Sequence, residues 1–271
     1  MAPVIVTVAP TGARRTRQDH PALPIEPEEI GREAARCREA GAAMIHLHVR
    51  DGAGRHSLDP DRYRAAIAAV RREAGADFLI QTTTEAVGIY ARQEQMAAIR
   101  ALQPEAFSSA VRELVPDAGS EPEAAAFFAE QAEREVLVQH ILYDAADAAR
   151  LADLVARGVV PARGASALFV LGRYTKDQQS SPADLLPFLA DWHLPWPWAV
   201  CAFGHQEARC ATAAACLGGH VRLGFENNLH LPDGATAADN AALVHNFVAV
   251  ARQLGLTIAD TRGARALFSG G

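Results

Sequence analysis

The sequence predicts an α/β fold, a closed (β/α)8 TIM barrel in which parallel strands alternate with helices. Short β-branched or apolar runs alternate with alanine-rich helical patterns, and eight such pairs can be counted. The length of 271 residues suits one barrel domain over residues 1–271. The sequence contains neither G-x-G-x-x-G nor G-x-x-x-x-G-K-[ST], which disfavours a doubly wound nucleotide-binding sheet.

The predicted strands are β-branched or apolar runs, and the helices are the amphipathic stretches between them. The strands cover residues 3–9, 43–49, 78–84, 105–110, 136–142, 166–171, 197–203 and 220–226. The helices cover residues 27–40, 60–74, 91–102, 121–134, 145–157, 182–190, 206–217 and 237–254. Residues 27–29 and 181–184 carry helix-start signals, and Gly41 and Gly158 stand where helices are expected to end.

Charge and cysteine use narrow the possible partners and location. The net charge of -6 and the pI near 5.9 leave no basic field for nucleic acid or an anionic membrane. The four cysteines, Cys37, Cys201, Cys210 and Cys216, form no C-x-x-C pair and are expected to be reduced and mostly buried. Neither a signal-peptide pattern nor an apolar run of roughly 20 residues occurs. We therefore expect a soluble cytoplasmic protein.

Two histidines stand two residues apart in the second predicted strand. Because side chains alternate along a strand, His46 and His48 should lie on one face. Converging neutral imidazoles are most often satisfied by a divalent metal ion, usually zinc. The alternative is that both are core histidines bonded to backbone carbonyls.

The eighth predicted strand offers a third ligand. Its alternation places Arg222 and Glu226 toward the barrel interior. In a closed barrel only the first strand separates the eighth from the second, so Glu226 can reach a metal ion held by the two histidines. The alternative use of this carboxylate is an ion pair with Arg50 or Arg222.

Hydroxyl-bearing residues stand at the ends of several other strands, where barrel enzymes place their chemistry. They are Thr82, Thr83 and Thr84 at the end of the third strand, Ser108 and Ser109 at the end of the fourth, and Thr11, followed by Gly12, after the first. Such hydroxyl groups can bind substrate oxygens without adding charge. The alternative is that threonine simply favours strands.

Several segments resemble the β-keto acid cleavage enzyme family. They are residues 5–13, 24–30, 40–42, 45–51, 54–55, 169–172, 218–222, 224–228 and 239–241. The resemblance covers essentially the whole chain, and its specific part is the pairing of H-x-H-x-R at residues 46–50 with G-G-H-x-R-x-G-x-E at residues 218–226.

The resemblance implies a zinc-bearing barrel, usually a homotetramer, with zinc held by the two histidines and the glutamate of the eighth strand. It implies that a β-keto acid and acetyl-CoA give acetoacetate and the CoA ester of the remaining acyl part, through an enolate and a retro-Claisen step. Thr83 and Ser108 match the family's substrate-lining hydroxyl positions, and Arg222 matches the arginine beside the catalytic carboxylate.

Four departures from the family pattern concern the acidic residues and one loop. Asn227 stands where the family has an aspartate that acts as base, and an amide cannot accept a proton at a useful pH. Ile141 replaces a glutamate expected on the fifth strand, Arg14 stands where a glutamate is common, and residues 173–176 replace a glycine pair. The acidic network was therefore rebuilt, around Glu85, His140 or Asp144, or the substrate and reaction differ.

Glu85 is the preferred replacement base, and Arg222 and Asn227 complete the predicted catalytic group. Glu85 follows the third strand at the face where the metal is expected, although it could instead cap the following turn. Arg14 is predicted to clamp an additional anionic group of an acidic substrate, with a solvated loop arginine beside Arg15 as the alternative.

Two other functions stay open. One is a zinc-dependent hydrolase that cleaves a C–C bond of a β-keto acid without CoA. The other is a non-catalytic metal-binding sensor of keto acids, for which Asn227 is the chief support. Only the transferase requires acetyl-CoA as co-substrate.

Overall fold

The chain forms a closed barrel of parallel strands in a computed structural model that describes residues 2–268. The barrel strands are β1 (Val6–Val8), β2 (Met44–Leu47), β3 (Leu79–Thr83), β4 (Ala106–Ala110), β5 (Leu137–Leu142), β6 (Ala165–Leu171), β7 (Trp198–Ala202) and β8 (His220–Leu223). Neighbours along the chain are neighbours in the barrel, and β8 pairs with β1 through Val8 and Leu223. The predicted (β/α)8 fold is confirmed, and the extent of one domain over residues 1–271 stays a prediction.

Helices surround the barrel and follow its strands. They are α1 (Pro27–Ala40), α2 (Pro60–Ala74), α3 (Arg92–Leu102), α4 (Val111–Leu114), α5 (Glu121–Glu133), α6 (Ala145–Ala156), α7 (Leu186–Ala190), α8 (Glu207–Cys216), α9 (Asn240–Gln253) and α10 (Thr261–Phe268). The 3-10 turns are Ala118–Ser120, Lys176–Gln178 and Pro182–Leu185. The short α4 and the final α10 were not predicted from the sequence.

Local signals account for several helix ends. Glu29 accepts the Glu26 N–H at 3.0 Å in a capping box that opens α1, and Gly41 ends this helix with a φ of 114°. The predicted start of α9 at residue 237 is wrong by three residues. Asp239 caps this helix by accepting the Ala242 N–H at 2.9 Å, so the helix begins at Asn240.

Two predicted strands are interrupted. The predicted strand over residues 43–49 splits, because β2 ends at Leu47 and Val49–Arg50 pairs with His56–Ser57 in a separate antiparallel ribbon. The predicted strand over residues 220–226 ends at Leu223, because Gly224 turns the chain with a φ of 138°. A β-carbon at Gly224 would collide with the Ala9 carbonyl oxygen. Glu226 therefore lies on a turn beyond β8.

The amino-terminal end of the barrel is closed by side chains. Ile5, Met44 and Leu79 are buried there and pack in one apolar cluster with Ala264 and Phe268 of α10. This cluster fills the barrel below the polar residues of the opposite end.

The cysteines are reduced and mostly buried, as expected from the sequence. All four cysteines are free thiols, and Cys216 is exposed while the other three are buried. No helix within residues 2–268 is long and apolar enough to cross a bilayer.

Candidate metal centre and active site

The two histidines meet at the carboxyl-terminal end of β2. Both side chains are 1% exposed, and their Nε2 atoms are 3.1 Å apart. His46 Nδ1 lies 2.8 Å from Gln81 Oε1 on the neighbouring strand. An amide oxygen only accepts, so we assign the ring proton to Nδ1, which leaves a lone pair on Nε2. The bond to Gln81 thereby orients His46 as a metal ligand is usually oriented.

Glu226 completes the group from the turn after β8. Its Oε2 lies 3.7 Å from His46 Nε2 and 3.4 Å from His48 Nε2. Its Oε1 accepts a hydrogen bond of 2.9 Å from Arg222 Nη2. Burial alone would raise the pKa of Glu226, but the charged Arg222 guanidinium holds that pKa well below its usual value. The carboxyl group is therefore charged in the folded protein.

The three donor atoms fit a tetrahedral metal ion. Ligands bound to zinc at 2.0–2.1 Å are about 3.3 Å apart, which agrees with the separations between His46, His48 and Glu226. Glu226 Oε2 is buried and has no hydrogen-bond partner among residues 2–268, an arrangement that is costly unless a cation satisfies it. Burial also lowers the pKa of His46 to about 3, so its imidazole stays neutral.

A cavity opens directly above this group, with about 320 Å³ of space unfilled by protein atoms. It is lined by His46, His48, Thr83, Glu85, Ile141, Tyr143, Val170, Arg173, Phe203, Arg222 and Glu226. An outer cavity shares four of these residues and adds Thr11, Gly12, Ala13, Arg14, Arg15 and Gln178. Most of the predicted site residues therefore lie around one continuous space at the carboxyl ends of the strands.

Glu85 lies between the metal group and the mouth. Its Oε2 is 4.0 Å from His48 Nε2, and its Oε1 is 3.9 Å from Arg14 Nη2 and 4.0 Å from Arg173 Nη2. These separations exceed hydrogen-bond length, so the carboxylate lies among three basic groups without being fixed by any of them. The Glu85 N–H is fixed, because it donates to Thr83 Oγ1 at 3.0 Å.

The loop after β1 is held close to Glu226. Arg50 does not pair with Glu226, since its Nη2 and Nε donate to the Gly12 carbonyl at 2.6 and 3.0 Å. Gly12 has a φ of 64°, and a β-carbon there would lie 2.6 Å from Glu226 Cγ. Arg15 donates to the carbonyls of Phe225 and Asn227, so the first loop is joined to the turn that carries Glu226.

Ser108 and Asn227 lie behind the cavity wall. Ser108 is fully buried, and its Oγ is 3.5 Å from Thr83 Oγ1. Asn227 is also fully buried, and neither polar atom of its side chain has a partner within residues 2–268. Neither residue lines the two cavities described above. The role that each was predicted to have in the reaction stays a prediction.

Of the three candidates for a rebuilt acidic network, Glu85 is the one that lines the cavity. His140 faces the helices, where its ring stacks on Trp196 at 5.7 Å and meets Phe128 at 5.4 Å. Asp144 pairs with Arg112 at 2.8 Å on the rim of the barrel. Ile141 lines the cavity with an apolar side chain.

Glu207, a buried carboxylate at the start of α8, was not predicted from the sequence. Its two oxygens accept the Gly224 N–H and the Asn228 Nδ2 group, both at 3.2 Å. Burial raises the pKa of Glu207 to about 8. A glutamate in the first turn of a helix is common, so the sequence offers no signal that this one holds the turn before Glu226.

Comparison with known sequences identifies one family, and comparison with solved structures identifies the fold. The family model for beta-keto acid cleavage enzymes matches residues 3–269. The 3-keto-5-aminohexanoate cleavage enzyme of Fusobacterium nucleatum is 32% identical, over 99% of this chain and 98% of that protein. The 3-oxoadipate:acetyl-CoA acetyltransferase of Cupriavidus necator is 27% identical, over 98% and 94%. The ternary complex of ObcA with C4-CoA adduct and oxalate shares the fold, with a TM-score of 0.74 and 18% identity over 92% of this chain and 67% of that chain.

Proposed function

The chain belongs to the β-keto acid cleavage enzyme family, and from this we propose that it cleaves a β-keto acid with acetyl-CoA to give acetoacetate and a new acyl-CoA. It is thus an enzyme that transfers acyl groups and breaks C–C bonds. The observation that carries the proposal is the buried group of His46, His48 and Glu226, whose Glu226 Oε2 is left without a partner within residues 2–268 beside a cavity.

We assign these three residues as the ligands of a zinc ion. Two imidazoles and one carboxylate, at the separations described above, favour zinc over the harder cations that prefer oxygen alone. When bound, the ion supplies a Lewis acid that stabilises the negative charge of an enolate. The remaining steps fall to side chains that line the cavity.

Arg222 has two roles in this proposal. Its Nη2 holds Glu226 in the charged form, as the 2.9 Å hydrogen bond indicates. Arg222 also lines the inner cavity, so its guanidinium group can donate to the carboxylate of the β-keto acid. A guanidinium serves both purposes because its donors are fixed in one plane.

Glu85 moves the proton. It accepts a proton from the carbon between the keto and carboxylate groups, because its carboxylate stands beside His48 and has no short hydrogen bond that would hold it. The carbanion then attacks the thioester carbonyl, and the CoA thiolate leaves. The thiolate attacks the original keto carbon, the old C–C bond breaks, and the departing acetoacetate carbanion recovers its proton from Glu85. Atoms and charge balance over the two steps.

The other proposed residues hold the substrate and the base. Thr83 accepts the Glu85 N–H and presents its hydroxyl group to the cavity, and Ser108 supports Thr83 from behind. Thr11 and Gly12 form the opposite wall. Assembly as a homotetramer stays a prediction from the resemblance, and a cytoplasmic location stays a prediction from the sequence patterns.

The test is a mass-spectrometric screen of the zinc-loaded protein with a panel of β-keto acids, each with and without acetyl-CoA. Acetoacetate together with a new acyl-CoA, formed only when acetyl-CoA is present, is the expected result. Cleavage without acetyl-CoA would assign a hydrolase instead. Ligand binding without turnover in either arm would favour the keto-acid sensor. Metal analysis of the purified protein, beside a chelator-treated control, tests zinc separately.

A further inference from the structure

Arg173 places a guanidinium inside the cavity, on the loop after β6. Its side chain is 13% exposed and lines both the inner and the outer cavity. The guanidinium lies 5.2 Å from the centroid of the Phe203 ring and 5.8 Å from that of Tyr174, so aromatic rings hold its position. In the sequence, Arg173 stands out only as part of the segment that replaces a glycine pair of the family.

The Arg173 guanidinium has weak compensation for its burial. Its contact with Glu85 is 4.0 Å long, and the guanidinium donates no hydrogen bond to any residue between 2 and 268. A buried cation without direct pairing is costly. In functional sites such a group is an anion-binding element whose partner is the ligand.

A second guanidinium converges on the same place. Arg14 Nη2 and Arg173 Nη2 lie 3.9 and 4.0 Å from the same Glu85 oxygen, so a carboxylate fits within reach of both. Together with Arg15 and Arg222, four guanidinium groups line the two cavities, against the two carboxylates of Glu85 and Glu226. A divalent metal ion bound by His46, His48 and Glu226 would increase the excess of positive charge around the cavity. A substrate with only one carboxylate leaves part of this excess unmatched.

We propose that Arg173, assisted by Arg14, forms a carboxylate subsite at the acyl end of the cavity, so that the substrate is a β-keto acid with a second carboxylate. The proposal rests on the proposed function, because it takes the metal group as the site of the keto-acid end. The Glu85 carboxylate lies between Arg173 and His48, with a different oxygen 4.0 Å from each of them. The tail of the substrate therefore extends only a few carbons beyond the reacting carbon.

The test compares binding and turnover for β-keto acids of matched length that end in a carboxylate, a carboxamide, a methyl or an ammonium group. Calorimetry with zinc-loaded protein gives the Kd without acetyl-CoA, and kcat/KM is measured with it. We expect the wild type to prefer the carboxylate tail over the carboxamide tail by about 10- to 100-fold, the usual effect of charge-assisted hydrogen bonds.

Variants assign the preference to Arg173. Arg173→Gln should lose most of the preference for the carboxylate tail, while the Kd for the carboxamide tail stays unchanged. Arg173→Lys should retain part of this preference, because lysine keeps the charge but lacks the paired donors. Lys176→Gln is the matched control, since Lys176 is exposed on the same loop. Thermal unfolding confirms that each variant is folded.

The outcomes separate this inference from the proposed function. A carboxylate preference in binding that depends on Arg173, without turnover in the presence of acetyl-CoA, supports the subsite and contradicts the reaction. Equal efficiency with carboxamide or ammonium tails, together with acetyl-CoA-dependent turnover, overturns the subsite and leaves the reaction standing.

Discussion

Substitution of Gly12 by alanine should damage the metal centre from a loop that supplies none of its ligands. The added methyl group would lie 2.6 Å from Glu226 Cγ, whereas carbon atoms pack at about 3.5–4.0 Å. Glu226 must then move by roughly 1 Å, a displacement that costs on the order of 100-fold in turnover at a catalytic site. The affinity for zinc should fall about 10- to 100-fold, as it does when a group that orients a ligand is lost.

The matched control is Gly158→Ala. Gly158 has a φ of 74°, close to the 64° of Gly12, but open space surrounds its missing β-carbon. Each variant should lose about 1 kcal/mol of unfolding free energy, because alanine disfavours the left-handed backbone conformation. Gly12→Ala should lose about 1–3 kcal/mol more, because its added methyl group overpacks the site. Zinc affinity is measured by competition with a chromophoric chelator. Equal zinc affinity and equal turnover in the two variants would refute the steric argument.

Three further substitutions test other parts of the site. Glu85→Gln should abolish turnover and leave zinc bound, because it removes the proton acceptor but no ligand; retained activity would clear Glu85 of the role. Gln81→Leu should weaken zinc binding by about 10- to 100-fold, since His46 loses the acceptor for Nδ1–H, and unchanged affinity in the chelator competition would contradict the assigned tautomer. Glu207 should make the unfolding free energy depend on pH. Its pKa is raised from 4.5 to about 8 on folding, so the folded state holds a proton that the unfolded state releases. The associated stability is complete below pH 4.5 and is lost as the pH rises toward 8, at about 1.4 kcal/mol per pH unit. Urea titrations at several pH values give the unfolding free energies of the wild type and of Glu207→Gln, and their difference should follow this slope. A difference that does not change with pH would show that burial does not shift the pKa of Glu207.

The order of strands could be predicted from the sequence because each βα unit carries its own periodicity. The ends of two strands could not, because distant contacts decide them. Gly224 turns the chain where its backbone meets Ala9, the residue after β1, and the ribbon that follows β2 forms through pairing with residues 56–57. Such contacts depend on the closed barrel rather than on local propensity.

The convergence of the three candidate metal ligands could be predicted for a related reason. Strand alternation brings His46 and His48 together, and barrel closure brings Glu226 to them, so both steps follow from pattern and topology. The position of Arg173 could not be predicted, since it depends on how a loop folds against Phe203. Glu207 could not be predicted either, because its raised pKa results from burial and not from its residue type.

The helix that fills the amino-terminal end of the barrel has a kinetic consequence. With Ala264 and Phe268 packed below the strands, the described cavities are approached from the opposite end of the barrel. In the proposed reaction both reactants and both products would pass through this one opening. Because the bulky thioester would cover the opening once bound, the proposed reaction would require the keto acid to bind before acetyl-CoA, and acyl-CoA to leave before acetoacetate.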